Sequence, residues 1–425
     1  MKVGIYFEHS LKKTSSARAQ PQRPFLARMV MSCASDRSWS GVFFNSTATH
    51  FQTFITQAKS PDLSRASRAL SHPLFQRGFW RQTSLILIIF AALLLTCSCS
   101  TFASKAYHSG VKSDHFDGTT FTPSEGPSLL NKARFLLTFK YNWGDTIEEP
   151  ERARLNQFKP VNQARITFVG HATFLIQLPD LNILTDPIWS NRAGPIPLPL
   201  LSRKRRNPPA ITFEDLPKID YVLLSSASYY HMDIPTIKKL QKKFSPTFVT
   251  GLGNCYYLNK VKGLGITCSE LDWDQKLKLQ NGVDFYFLEA KSRTERFPFN
   301  NNKTLWGSFL IRTPDMKIYF AGSGGYSQHL RAISAKHAPI DLALLPIGSY
   351  SPRWYMKNYR MSPEEAVKAH ILLNAKKSIG IAFNSFQIGN EDYYDSKIEL
   401  EEAKLTYGLK KLEFVAPKFG EIFEF

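Results

Sequence analysis

Asp220 to Asp233 reads DYVLLSSASYYHMD, and the fold is decided there. Tyr221, Val222, Leu223 and Leu224 form a short unbroken apolar run, the pattern of a strand buried on both faces. Ser225, Ser226, Ala227, Ser228, Tyr229, Tyr230 and His231 follow, too polar as a group to continue into a core. Asp233 then stands where a helix cap belongs, with Pro235 in the first turn and Ile234, Ile237, Leu240 and Phe244 on one face. A strand that delivers a polar loop onto a helix start is where α/β proteins seat their ligands. The expectation is an α/β fold with its site on this loop.

The alternation of strands and helices extends in both directions. Upstream, 165–178 (RITFVGHATFLIQL) reads as two strands about a Gly170-His171 turn, and 182–187 (NILTDP) as a strand stopped by Asp186 and Pro187. His171 is read as hydrogen-bonding its own turn. Asp186 either caps a loop or lies at the rim of a site, where it needs a partner. Residues 129–143 read as a lead-in helix, with Leu130, Ala133, Leu137 and Tyr141 at helical spacing. The basic run 202–209 (SRKRRNPP) reads as a solvated loop, with a membrane or phosphate contact as the functional alternative.

Downstream, strands are expected at 246–251, 265–271, 316–320 and 341–349, with a pair over 276–290 turned at Asn281-Gly282. Helices are expected at 256–261, 327–336, from Ser362 through His370, and at 397–407. His329 and His337 flank the second of these and are expected to be exposed.

The chain has 425 residues and a formal charge of +19. Residues 1–100 hold 12 Lys/Arg against 3 Asp/Glu, so the remainder carries +10. That surplus reads as a solvated surface, and it also favours an anionic partner such as a phospholipid membrane. No stripe of Arg and Lys interleaved with aromatics is present, which excludes nucleic acid as a partner.

Residues 1–80 have no sustained period and are rich in Ser, Thr, Gln and Arg; they read as a disordered extension or as sequence upstream of the true start. In 77–100 (RGFWRQTSLILIIFAALLLTCSCS), Arg77 and Arg81 precede an apolar run over 85–95 that is short for a bilayer span and fits a secretion signal. Leu94-Leu95-Thr96-Cys97 resembles a bacterial lipoprotein cleavage box, with Cys97 the lipidated residue; an uncleaved anchor is the alternative. Either reading places the protein at a membrane surface, in a bacterial cell envelope. Residues 101–125 read as a linker and 126–425 as one domain. Of the five cysteines, Cys255 and Cys268 fall in that domain and are expected as buried free thiols, with one bridge the alternative in an oxidising compartment.

The loop SSASYYHMD (225–233) resembles the signature loop of the metallo-β-lactamase fold, in the branch of N-acylphosphatidylethanolamine-hydrolysing phospholipase D, where it reads S-H-N-H-Y-D-H-L-D. Further matches occur in one order: HFDG (115–118), VGHAT (169–173), LTDP (184–187), ELDW (270–273), PIG and PRW within 346–354, PEEAV (363–367) and KFGE (418–421). AGSGGY (321–326) stands for the family's AGDTGY. The resemblance implies an αββα sandwich, two mixed β-sheets flanked by helices, with a two-metal hydrolytic site on the strand-end loops. It implies zinc as the family's metal, and it implies that Asp186 lies beneath the metal site.

Carried over residue by residue, the family's metal ligands fall on Ser226, Ser228, Tyr230, His231, Ser292, Ser323 and Ala382. A binuclear site needs His, Asp or Cys donors, three or more per metal; a serine hydroxyl is a poor ligand and alanine is none. His231 alone can still ligate, so the family's zinc is expected to be lost and no cofactor is expected. The other histidines of the domain (His108, His115, His171, His329, His337 and His370) do not pair at metal spacing.

The expected catalytic set is Asp186, His231 and His370, with Ser226, Ser228, Tyr230, Ser292, Ser323 and Ala382 lining a polar pocket. Asp233 is a helix cap. The leading expectation is a membrane-anchored, metal-poor pseudoenzyme that binds a phospholipid or other anionic amphiphile. An active hydrolase of phosphodiester or ester bonds is the alternative, with Ser–His chemistry one route to it. A structural or interaction protein of the envelope is the third.

Overall fold

The computed structural model describes residues 106–122, 127–144, 164–196, 202–261, 263–296 and 300–425. The extension at 1–80, the signal or anchor segment at 81–100 with Cys97, and residues 101–105 of the linker lie outside the described residues.

Among the described residues two seven-stranded sheets form the centre. The first contains β1 (Arg165–Gly170), β2 (Thr173–Leu178), β3 (Leu181–Thr185), β6 (Tyr221–Leu224), β7 (Thr247–Gly251), β8 (Cys268–Leu271) and β16 (Ile422–Glu424). β1, β2 and β3 are an antiparallel meander, after which β3, β6, β7 and β8 run parallel. A two-stranded ribbon, β4 (Arg192–Ala193) and β5 (Arg203–Lys204), stands beside it. The second sheet joins β9 (Lys276–Lys278), β10 (Asp284–Leu288), β11 (Ser308–Arg312) and β12 (Lys317–Phe320) antiparallel, then β13 (Ile340–Pro346), β14 (Ala375–Ile381) and β15 (Phe414–Val415) parallel to β12. This is the expected sandwich of two mixed sheets.

The period of two along β6 shows why its run is unbroken. Leu223 packs into the main core with Phe168, Phe285 and Leu344, whereas Val222 and Leu224 point the other way, onto Ile237 and Leu240 of helix Ile234–Phe244. Both faces are buried, so no position along the strand can be polar. The loop after it inherits a fixed starting point.

Several expectations need correction. Asp233 occupies the cap position of helix Ile234–Phe244 but makes no capping bond to its backbone; the carboxylate accepts from Ser190 N, Ser190 Oγ and Thr236 Oγ1. It ties the β3–β4 connection to the helix instead. Cys255 and Cys268 are not free buried thiols: both are half-buried and joined in a disulfide, with Cα atoms 5.9 Å apart. His329 is buried and bonded through Nδ1 to Ser327 Oγ, and His337 is half-buried; neither is exposed.

The lead-in helix ends at Thr138, and the residues at its helical spacing face outward: Leu130 is 78% exposed and Leu137 is 87% exposed, while Phe135 carries the burial. Nor is SRKRRNPP wholly a solvated loop. Arg203 and Lys204 pair as β5, and Arg205 and Asn207 are buried.

Candidate functional site

The parallel strands β3, β6, β12, β13 and β14 release their chains at one rim, and the β1–β2 turn joins them. Backbone strain concentrates there. His171, Asp186, Ser349, Ala382 and Asn384, none of them glycine, have φ of 57°, 35°, 61°, 62° and 52°. Residues hold the left-handed region only where their surroundings over-determine it, and such positions gather at functional sites. Here the determinants are visible: Ala382 N donates to His171 O at 2.9 Å, His171 N to Ser385 Oγ at 2.8 Å, and Thr173 Oγ1 to Asp186 O at 2.8 Å. The loops after β1, β3 and β14 are thereby locked into one cup.

Asp186 lies at its base, fully buried. Its Oδ1 accepts from Ser225 N at 2.7 Å; its Oδ2 accepts from Ser225 Oγ at 2.6 Å and from His231 Nδ1 at 2.7 Å. Both oxygens are thus satisfied, by three donors. Because a carboxylate only accepts, His231 carries its proton on Nδ1, and its buried Nε2 has no partner among the described residues. Gly322 supports the arrangement from the opposite sheet. It has φ of 58°, and a Cβ there would come within 2.5 Å of Ser225 Cβ, so only glycine lets the β12 loop approach.

The signature loop is shaped from behind by Arg296. Its buried guanidinium donates Nη1 to Ala227 O at 2.6 Å and to Met232 O at 2.9 Å, and it lies over the Tyr229 ring. Beside it opens a groove of about 460 Å³ bounded by Ser190, Tyr229, Asp233, Pro235 and Arg296 among others.

The expected pocket positions divide. Ser292 Oγ and Ser323 Oγ stand 3.4 Å apart, and a Lys291–Gly325 bridge joins their loops. Ser226 Oγ accepts from Ser228 N within the signature loop. Tyr230 packs against His171 and Phe386, and burial pushes its phenol up to about 12 despite nearby Arg203 and Arg360. Ala382 contributes only its backbone bond to His171. His370 is not brought to Asp186 and His231. It is buried on helix Pro363–Leu372, bonds through Nδ1 to Ser378 Oγ at 2.8 Å and stacks on Phe414.

His171 differs from its expected role as well. Its ring makes no turn hydrogen bond: it is fully buried with both nitrogens unpartnered, 5.9 Å between ring centroids from His231. Burial holds it well below the usual histidine range, and the nearby guanidiniums of Arg360 and Arg205 act in the same direction.

Sequence reading missed three residues. Ser225 binds Asp186 more closely than any serine at a former ligand position. Arg205 donates Nη2 to Ile188 O at 2.6 Å and stands 4.7 Å from the Phe386 ring centre; Arg360 is buried. Burial lowers both guanidiniums to about 10. The SRKRR run was a signal for Arg205. Nothing in NYRMS marked Arg360.

As a metal cage this donor set does not fit. Among the described residues no three His, Cys, Asp or Glu side chains gather to hold an ion. Asp186 has its oxygens occupied, and hydroxyls or a methyl stand where a binuclear centre needs nitrogen or carboxylate donors.

Comparison with known proteins places this geometry in context. Residues 181–382 match the family model for a beta-lactamase superfamily domain. N-acyl-phosphatidylethanolamine-hydrolyzing phospholipase D 1 of Caenorhabditis elegans is 33% identical over 282 residues, which are 61% of this chain and 75% of that protein. The mitochondrial N-acyl-phosphatidylethanolamine-hydrolyzing phospholipase D of Saccharomyces cerevisiae is 28% identical over 246 residues, 55% of this chain and 50% of that protein. Among solved structures, an isothiocyanate hydrolase from Delia radicum gut bacteria superposes with a TM-score of 0.50 at 17% identity, covering 61% of this chain and 99% of that one. At that identity the likeness concerns the fold alone.

Proposed function

We propose that this chain, which belongs to the metallo-β-lactamase superfamily and within it to the branch of N-acyl-phosphatidylethanolamine-hydrolyzing phospholipase D, is a metal-poor binding protein rather than a two-metal hydrolase. One observation carries the reading: Ser226, Ser228, Tyr230, Ser292, Ser323 and Ala382 occupy the ligand positions, and Asp186 is spent on Ser225 and His231. Metal-activated water needs a caged cation to lower its pKa. With the cage gone, the strained scaffold still holds a polar cup, and a cup without turnover binds.

A phosphorylated or otherwise anionic amphiphile at a membrane surface is the ligand class we favour. Supporting it, Leu130, Leu136 and Leu137 are exposed on helix Leu129–Thr138, with Arg134 exposed on the same helix and Lys140 just beyond its end. Exposed apolar side chains with basic ones in the same segment suit an anionic bilayer face. No helix among the described residues is long and apolar enough to cross a membrane. The anchor in this reading is the apolar run within 81–100, with Cys97 at its end. The Cys255–Cys268 bridge favours a compartment outside the reducing cytoplasm.

Turnover without the family's metals is the second reading, favoured by the bare Nε2 of His231 held by Asp186 in the manner of a general base. Metal analysis of the full-length protein, dialysed against trace zinc, iron and manganese, separates the readings. Well below one metal per chain is expected, with His231→Ala leaving that metal content unchanged and phosphodiester and ester substrates left intact. Two retained metals, or turnover abolished by His231→Ala, would sink the binding-protein reading.

A further inference from the structure

A cavity of about 540 Å³ opens between the two sheets at the end opposite the cup. β12, β13 and β14 start beside it, where Met316, Asp341 and Lys376 line the wall, and the same strands end at the cup. Its floor is the main core laid open. Ala164, Leu178 and Val283 belong to that core, and Met316 and Phe425 pack against it half-buried. A volume of this size, mostly apolar with a few polar groups at its mouth, lies within the range of roughly 300–1,000 Å³ that small-molecule sites occupy.

Two turns, one from each sheet, frame the mouth. Pro179-Asp180 joins β2 to β3, and the turn from Thr313 to Met316 joins β11 to β12. Proline presets the backbone of a turn, and Thr313 Oγ1 accepts from Asp315 N at 3.2 Å and from Met316 N at 2.9 Å. The charged groups here differ in what already holds them. Lys376 Nζ pairs with Asp341 Oδ1 at 2.7 Å, and Asp341 Oδ2 accepts from Lys317 N at 2.8 Å. Lys377 Nζ lies over the Phe423 and Phe425 rings, 4.9 and 5.7 Å from their centres. Asp180 and Asp315 are exposed, and among the described residues neither carboxylate has an ion-pair or hydrogen-bond partner. The chain as a whole carries +19, yet the unpaired charge at this mouth is negative.

An apolar floor under two unpaired carboxylates is complementary to a molecule with an apolar body and a cationic head, whose N–H groups make charge-assisted bonds to carboxylate oxygens. We propose that this cavity binds an amphiphilic amine, with its alkyl body on Leu178, Val283 and Met316 and its ammonium held by Asp180 and Asp315. The site is separate from the cup, and the inference stands whether the cup binds a ligand or turns one over.

Calorimetric titration of the full-length protein at neutral pH tests it, with decylammonium and decanoate, below their micellar concentrations, as probes of one chain length and opposite head charge. Met316→Trp, which fills the floor with an indole, assigns binding to this cavity: only the binding that it removes is counted. Pro314→Trp, at an exposed position of the same wall, takes its place if Met316→Trp does not fold by near-UV circular dichroism. Decylammonium is expected to bind here about ten-fold or more tightly than decanoate, and the double variant Asp180→Asn, Asp315→Asn to lose that preference. Both aspartates are exposed, so the double variant removes charge without disturbing the core. Glu402→Gln, which removes an exposed helix acid outside the cavity, should leave the affinity unchanged. No decylammonium binding that the indole removes, equal or tighter binding of decanoate there, or an unchanged preference in the double variant overturns the proposal. Its failure is distinct from that of the binding-protein reading, which falls on metal content and turnover whatever this cavity holds.

Discussion

His231 Nδ1 lies 2.7 Å from Asp186 Oδ2, with the two side chains 1% and 0% exposed. This pair joins the end of β3 to the signature loop after β6, and Ser225 closes it from the same side. The contact orients the imidazole, fixes its tautomer and occupies the acid.

Asp186→Asn keeps the shape and removes the charge. The amide cannot accept all three bonds, so a buried donor loses its partner; the expected cost is about 3 kcal/mol, in the range for breaking a buried charged network. Urea denaturation measures it. A loss under about 1 kcal/mol would mean that the pair does not hold the cup together.

His370→Ala should behave as a packing and hydrogen-bond defect. Removing the Ser378 contact and the stack on Phe414 is expected to cost roughly 2 kcal/mol, read by urea denaturation. A loss under about 0.5 kcal/mol would mean that neither contact holds helix Pro363–Leu372 in place.

Reduction of Cys255–Cys268 opens a short covalent loop between the helix Cys255–Asn259 and β8. With a sequence separation of 13, loop-closure entropy suggests a loss of roughly 3 kcal/mol. Melting curves with and without reductant check this, and mass analysis without reductant checks the bond itself. Identical curves for a protein shown to be bridged would refute it.

His115 sets a pH dependence on the segment that packs against Trp273. Burial alone would lower its pKa, but bonds to Asp114 and Asp272 and their charges prevail, and the folded value is raised. A raised folded value means stabilisation that is complete below the ordinary histidine pKa and is lost as pH rises through the folded one. Amide exchange of residues 113–122 should therefore be more protected at pH 5 than at pH 8, after correction for intrinsic rates. His115→Asn should abolish the difference; a difference that survives it would place the titration elsewhere.

Much of the scaffold was legible because it rests on local patterns. The apolar run before Ser225, the Gly170-His171 turn and the Ser362 helix start each depend on residues a few positions apart. The capping box confirms the last: Ser362 Oγ accepts from Glu365 N, and Glu365 accepts from Ser362 N. Side-chain environments were less legible. Leu130 and Leu137 have helical spacing whether or not anything covers them, and His329 reads the same on either face of its helix.

The sequence by itself determined the order of strands and helices, the loop that forms the site, and the replacement of nitrogen and carboxylate donors by hydroxyls. Those are matters of residue type and short spacing. Tertiary structure alone decided that Asp186 is held by Ser225 and His231, that His370 lies apart on Ser378, and that Arg205 is buried against Ile188 O. Asp186 and His231 are 45 positions apart. A buried side chain's partners depend on which distant loops meet around it, and no local period records that meeting.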